Sequence, residues 1–514
     1  MILGIANQTK ILYRDDIVKF EDLTIIKEAL IMGKKYGVII RWYTILFVIL
    51  LILIFFLLKR FFEKYSFSWK KGLLLSCLLG IFVILIYNTI YNNDRIYDSI
   101  GDENLINKWI TTRQYQIRGL IYPFVYTIKD IADTKPNGYS KEKAEEILSN
   151  YKYEDIDNDK KVNIIAIMLE AYNDFSKFNV IDFNDDIYEK FHEIQSKLIS
   201  GNLVTTIFGG GTVNTERKFL TGYNNMPSFR KITNSYVWYF KEQGYRTEAM
   251  HPIYGAFYNR TSINPNLGFD DYYYYENKFS KIQNEFMTDY DFFDYIIDGY
   301  EKSKNDNMPY FNFSVTYQNH GPYNANKYEG KEYFFDNIGY DSEAYNTINE
   351  YFSGIKKTNV ALEKIINYFE NEEATIIVIF GDHNPYLGKN NLAYNELGIN
   401  LDLGTIDGFE NYYETPYIIY GNNAAKKMFN NKFIGKGNTI SPIFLMSEIS
   451  NLLGMKGNNY LQYMNDLEKK VDVLSEEYYK EDGQFISVDK SNIKKLINEY
   501  NIVNYYYSRN FIKR

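Results

Sequence analysis

The chain has 514 residues, a net charge of −8 and a pI of about 5.4, with 46% hydrophobic and 18% aromatic residues. That leaves room for about three units of ~150 residues with a large buried core, excludes a disordered chain, and provides no basic footprint for nucleic acid. A single cysteine, Cys77, excludes a disulfide framework, a CxxC redox pair and any multi-cysteine metal site, and only four histidines, His192, His251, His320 and His383, are available for acid–base or metal chemistry.

Residues 1–36 are polar and mixed in charge. Residues 38–58 are almost continuously apolar, and at roughly 20 residues the run is long enough to cross a bilayer core of ~30 Å. A second apolar run, 72–87, extends to about residue 91 through tyrosine and asparagine. Between the runs Lys59, Arg60, Lys64, Lys70 and Lys71 face one acid, Glu63, so the positive-inside rule places loop 59–71 in the cytoplasm. Residues 37–91 are therefore predicted to form two transmembrane helices, with Cys77 inside the second and both termini outside the cell membrane. The alternative is a buried helical hairpin in a soluble domain. No small-residue cleavage site follows either run, so they read as anchors and not as a signal peptide.

Residues 92–160 are helical in pattern and charged, a juxtamembrane linker with a turn at 135–140 and a helix capped by Ser140. The character changes at Val162. Residues 162–169 form an apolar run of buried-strand type, and 310–317, 375–380 and 416–420 resemble it. Helix-like stretches lie between them at 188–198, 235–243, 291–302 and 346–370. Strands alternating with helices predict an α/β domain with a mainly parallel sheet over 161–455. Residues 456–514 read as a C-terminal subdomain of helices with an edge strand.

Open α/β sheets place their sites at the carboxyl ends of the strands. Here the first strand ends at Glu170, the second runs into His320, and the third into Asp382 and His383. Taken singly, Glu170 equally suits a helix N-terminus and Asp382-His383 a turn. Jointly they suit a metal-bound site. A second signal is Gly209, Gly210 and Gly211 before Thr212: the glycines let the backbone approach a bulky anion, and a hydroxyl opening the next helix sits where N–H groups favour phosphate. The loop lacks the P-loop lysine, and an ordinary glycine turn capped by Thr212 has the same pattern. A third is Arg260, which suits a bidentate phosphate clamp, although such a residue taken alone is more often a surface ion-pair partner.

These residues make one coherent chemistry. A neutral hydroxyl is a poor nucleophile, and coordination to a dication lowers its pKa. Glu170, Asp382, His383 and Thr212 are oxygen-rich ligands with one imidazole, which suits one Mn²⁺ or Mg²⁺. His320 would then be left to bind phosphate oxygens or move a proton.

With these motifs the sequence resembles the lipoteichoic acid synthase family, membrane-anchored phosphoglycerol transferases of the alkaline phosphatase/sulfatase superfamily. The resemblance runs over essentially the whole chain, including residues 6–30, which look like the loop before the last two membrane helices of the family. It implies a sulfatase-like fold, with Thr212 as nucleophile and metal ligand and Glu170, Asp382 and His383 as metal ligands. It further implies His320, His251, Arg260 and Tyr258 around the phosphoglycerol group. The donor it implies is phosphatidylglycerol, and the acceptor a hydroxyl on an envelope polymer or glycolipid. His192 falls outside the motifs and reads as structural. The sequence departs from the family pattern at Tyr258, often tryptophan, at Arg217, and at Asn384-Pro385 after the Asp-His pair. Other readings are a phosphoethanolamine transferase or phosphodiesterase of the same superfamily, and a non-catalytic wall scaffold stabilised by a metal.

Overall fold

The structure, a computed structural model, describes residues 2–14, 17–25, 42–62, 68–100, 111–131, 135–229, 231–255, 257–281, 287–323 and 331–512. The start of the first apolar run, Glu63 and Lys64 of the loop, and residues 26–30 of the N-terminal segment lie outside the described residues. The chain divides into two compact units, Met1–Thr134 and Lys135–Arg514.

In the first unit, Trp69–Tyr91 is a 23-residue helix whose apolar side chains are exposed, and it is the one helix among the described residues found long and apolar enough to cross a membrane. Ser68 caps it, its hydroxyl accepting from the Lys71 N–H. Trp42–Phe62 is also helical, carries Lys59 and Arg60 in its last turn and exposes its run of leucine, isoleucine and phenylalanine side chains.

The second unit is built on an eight-stranded sheet. In chain order its strands are β1 (Asn163–Leu169), β2 (Ile199–Val204), β3 (Arg246–His251), β4 (Asp271–Tyr274), β5 (Tyr310–Val315), β6 (Thr375–Gly381), β7 (Glu414–Gly421) and β8 (Gly435–Ile440), and their order across the sheet is β4-β3-β5-β1-β6-β7-β2-β8. β7 pairs antiparallel with β6 and β2, and the other pairings are parallel. The sheet is thus mainly parallel, as expected, with the 416–420 run forming the strand that turns against the rest.

β1 shows why the centre holds together. Every residue of Asn163–Leu169 is buried. Ile164, Ala166 and Met168 join one hydrophobic cluster while Ile165, Ile167 and Leu169 join another, the period of two expected of a strand covered on both faces. On the first face pack helices Thr212–Thr221, Tyr236–Glu242, Leu445–Leu452, Asn459–Glu468 and Lys494–Arg509, and on the second Asp289–Asn305 and Ser342–Phe369. The result is a three-layer αβα unit. Lys141–Ser149 belongs to this unit too, with the Ser140 hydroxyl accepting from Lys143 N–H as its cap.

The C-terminal stretch adds a small antiparallel sheet, β9 (Val473–Leu474), β10 (Tyr478–Glu481) and β11 (Gln484–Ser487), and then returns to the core. Two of its phenols, Tyr460 and Tyr500, donate to the carbonyl of Gly222, where the Thr212–Thr221 helix ends. Gly222 has φ +69° and a Cβ there would meet the Tyr236 hydroxyl at 2.4 Å, so only glycine lets the aromatic clamp close on the helix end. The tail thereby fixes the helix that carries Thr212.

Candidate active site

Glu170 directly follows β1, and Asp382 and His383 follow β6, the strand beside it. At Gly381 a Cβ would meet the Tyr172 carbonyl at 2.2 Å, so the glycine allows the chain leaving β1 to cross close to the end of β6. Ala171 turns sharply there, with φ +50°. Its N–H donates to Asp382 Oδ1 at 2.8 Å and its carbonyl accepts from the Tyr351 hydroxyl at 3.0 Å. The Glu170 N–H donates to the Thr316 hydroxyl at 3.0 Å, which ties the end of β5 to the same place.

The glycine loop brings the hydroxyl. Gly209, Gly210 and Gly211 have φ of +64°, +153° and +88°, conformations that L side chains rarely adopt. Thr212 is the first residue of its helix, and its Oγ1 donates to Glu170 Oε2 at 3.4 Å and lies 3.4 Å from His383 Nε2. The helix is docked one turn on, where the Thr215 hydroxyl donates to the Asp382 carbonyl at 2.8 Å.

Glu170, Asp382 and His383 are all buried, and one ligand atom from each lies within 4.8 Å of the others. Asp382 Oδ1 accepts from the N–H groups of Ala171 and His383, while Oδ2 is buried without a hydrogen-bond partner, 3.3 Å from His383 Nε2. His383 Nδ1 sits 3.0 Å from the Asn384 carbonyl, which can only accept, so Nδ1 carries a proton and Nε2 faces the carboxylates. Burial pushes the Asp382 carboxyl up, against the pull of His383, the Thr212 hydroxyl and two backbone N–H groups. An orphaned carboxylate oxygen beside a second carboxylate and an imidazole nitrogen is a donor set that a dication completes, so the group fits a metal ion.

Beside it lies a second cluster. Arg260 is 2% exposed, and its Nε and Nη2 both donate to Glu216 Oε2, at 2.9 and 2.7 Å. Its Nη1 is buried without a hydrogen-bond partner. Burial opposes the guanidinium charge, and the attraction of Glu216 more than offsets it. The Arg260 guanidinium also lies 5.3 Å from the Tyr258 ring. His251 donates from Nδ1 to the Val315 carbonyl at 2.9 Å, and burial, reinforced by Arg260, pushes its pKa well below the ordinary imidazole value. His320 bonds the Gly321 carbonyl through Nδ1 at 2.6 Å and stacks on Tyr317, ring centres 4.7 Å apart.

All eight residues singled out from sequence are thus placed: Glu170, Thr212, Asp382 and His383 in direct contact, and His251, Tyr258, Arg260 and His320 in the neighbouring group. His192 stands apart, paired with Asp174 at 2.7 Å. Three contributors were not identified from sequence. Glu216 occupies two of the donors of Arg260, a partner legible only as an acid one helical turn after Thr212. Arg217, noted as a departure, donates from Nη2 to the Tyr258 carbonyl at 3.0 Å and braces that turn. Asn384, another of the departures, lies at the centre of the site's supports.

The sulfatase family model matches residues 162–455, more than half the chain. A putative cyclic β-1,2-glucan modification protein of Rhizobium meliloti is 27% identical over 71% of this chain and 57% of its own length. The lipoteichoic acid synthase of Staphylococcus saprophyticus is 22% identical over 90% of this chain and 73% of its own length. The chain therefore spans little more than half of the first of these relatives. Among solved structures, the phosphoglycerol transferase GacH of Streptococcus pyogenes, in complex with sn-glycerol-1-phosphate, aligns with a TM-score of 0.53 at 19% identity, covering 72% of this chain and 94% of that one. The integral membrane lipooligosaccharide phosphoethanolamine transferase A of Neisseria meningitidis aligns at 0.52 and 12% identity, covering 90% of this chain and 84% of that one. These two likenesses establish the fold. The chain belongs to the sulfatase family, as a lipoteichoic-acid-synthase-like member of the alkaline phosphatase/sulfatase superfamily.

Proposed function

We propose that this chain is a membrane-anchored transferase that moves phosphoglycerol from phosphatidylglycerol to an acceptor hydroxyl of an envelope polymer or glycolipid, through a covalent intermediate on Thr212. The observation that carries the reading is the placement of the Thr212 hydroxyl, 3.4 Å from both Glu170 and His383 at a helix N-terminus, beside an unpartnered oxygen of Asp382. Glu170, Asp382, His383 and Thr212 would hold one dication, Mn²⁺ or Mg²⁺, whose contribution is to lower the hydroxyl pKa and offset charge on the phosphate.

The protein groups do the rest. Thr212 Oγ attacks phosphorus as its proton passes to Glu170, the bond from phosphorus to the diacylglycerol oxygen breaks, and His320 supplies the proton that this oxygen needs. Arg260 offers Nη1 to a phosphate oxygen, with Glu216 fixing its orientation. His251, held neutral by burial, presents its other ring nitrogen to the same group, and Tyr258 bounds the glycerol side. In the second half His320 takes the proton of the acceptor hydroxyl as that oxygen attacks the phosphothreonine, and Thr212 leaves as Glu170 returns its proton. A hairpin of the two apolar helices, with loop 59–71 in the cytoplasm and the sulfatase-like unit outside, keeps the site at the headgroups of its lipid donor.

The reading is tested by giving the full chain, with Mn²⁺, phosphatidylglycerol labelled in its headgroup. Released diacylglycerol and label on an added glycolipid are expected. The fold likeness to a phosphoethanolamine transferase makes phosphatidylethanolamine the comparison substrate, and turnover of that lipid alone would replace the donor in this account.

A further inference from the structure

Every segment that brings a proposed ligand to the site touches one residue that is not itself a ligand. Asn384 is fully buried. Its main-chain carbonyl accepts twice: from His383 Nδ1 at 3.0 Å and from the Gly209 N–H, at the start of the glycine loop, also at 3.0 Å. A β-bridge between Phe208 and Asn384 runs alongside. Its side-chain amide donates to the carbonyls of Asn411, Tyr412 and Glu414, at 3.3, 3.0 and 3.2 Å, in the segment entering β7. Its Oδ1 accepts from the amide of Asn173, three residues beyond Glu170. Both ends of the side chain are used and nothing is left for substrate.

We infer that Asn384 is a positioning residue: its side chain, anchored to Asn173 and to the entry of β7, aims one carbonyl that fixes both the His383 tautomer and the height of the glycine loop under Thr212. The His383 ring and the Thr212 hydroxyl come from elements 171 residues apart in sequence, and their 3.4 Å separation has this shared acceptor behind it. No aliphatic residue and no aspartate could substitute. An aspartate would aim a carboxylate at three carbonyl oxygens, and an alanine would leave the buried Asn173 amide and the carbonyls of Asn411 and Tyr412 without this partner, the Glu414 carbonyl keeping only Lys177 Nζ. Supports of this kind typically matter 10–100-fold in metal affinity. The inference rests on the metal-site reading above for its affinity test, and on the geometry alone for its tautomer test.

The experiment uses the full chain with Asn384→Ala and Asn173→Ala, the second variant removing the donor to Asn384 Oδ1 together with the acceptor of the Asp174 N–H. Two quantities are read: Mn²⁺ affinity by electron paramagnetic resonance, and the isotope-labelled histidine nitrogen resonances of the metal-free protein. Wild type should show His383 as a single Nδ1–H tautomer. Both variants should show a tautomer mixture and bind Mn²⁺ roughly 10–100-fold more weakly, with unchanged circular dichroism. A merely structural asparagine would lower the melting temperature and leave both readings where they were, and that result overturns the proposal. Should Asn384→Ala fail to fold, Asn173→Ala decides alone. A wild-type chain that binds no Mn²⁺ would refute the metal reading, while the histidine resonances would still decide the role of Asn384.

Discussion

The two halves of the site differ in what they leave unsatisfied. Around Glu170, Asp382 and His383, negative charge is buried in excess and one carboxylate oxygen has no hydrogen-bond partner. Around Arg260, the guanidinium has its own carboxylate in Glu216, and what remains is the buried Nη1. The first half is built to receive a cation and the second to tolerate its cation with little to spare for a ligand. A phosphodiester between them would meet positive charge from both sides only once a metal occupies the first half. The comparison therefore predicts that substrate binding is metal-dependent even though an arginine is already present.

The largest expected effect comes from the hydroxyl that joins the halves. Thr212→Ala should lower transfer by at least about a thousandfold, as expected when a nucleophile is lost, with Mn²⁺ affinity reduced much less. Transfer rates and Mn²⁺ titration on the same preparation check this, and near-wild-type transfer would remove Thr212 from the mechanism. Next is the arginine side. Arg260→Ala leaves Glu216 buried and unpaired, which costs about 3–5 kcal/mol of stability, read as a drop in urea midpoint. Arg260→Met with Glu216→Gln should recover most of that stability and none of the activity. If the double variant regains activity, Arg260 serves only the fold.

Asp382→Asn tests the metal side in the opposite sense. It removes a buried charge whose ionisation burial opposes, so the metal-free protein should be no less stable, while Mn²⁺ affinity falls by at least about a hundredfold. A stability loss at unchanged affinity would reverse the contrast between the halves. The smallest effect is a pH dependence. His251 has its pKa pushed down by burial, so between its folded value and the unfolded value of about 6.5 the unfolded chain binds more protons than the folded one. Its contribution to stability is complete above about pH 6.5 and is lost as pH falls toward the folded value. His251→Gln should flatten that part of the urea-midpoint profile, and an unchanged slope would show that His251 does not titrate this way.

What the sequence disclosed follows from the same physics. β1, β5, β6 and β7 lie in the interior of the sheet, so their apolar runs stood out. β3, β4 and β8 carry Arg246, Asp271 and Lys436 toward edges and were not legible as strands. β2 was hidden for a different reason: Gly201 lies against the Tyr417 ring, and a Cβ there would come within 2.7 Å of it, so the strand has no apolar run to show. The ligand group was readable because each member ends a strand or a loop with its own signature. Arg260 was readable as a cation but not as a paired one, since Glu216 is distant in sequence and a pairing is a fact of packing. Asn384 was visible only as a departure from pattern, because an amide that bonds four other residues does so entirely through the fold.

The most direct test of the account is where the phosphoglycerol goes first. The full chain is exposed to phosphatidylglycerol and Mn²⁺ without acceptor, quenched, digested and mapped by peptide mass spectrometry. The account predicts one added phosphoglycerol group, located on Thr212 and absent without metal. Diacylglycerol release with Thr212 unmodified at every time point, or the group on another residue, would contradict it.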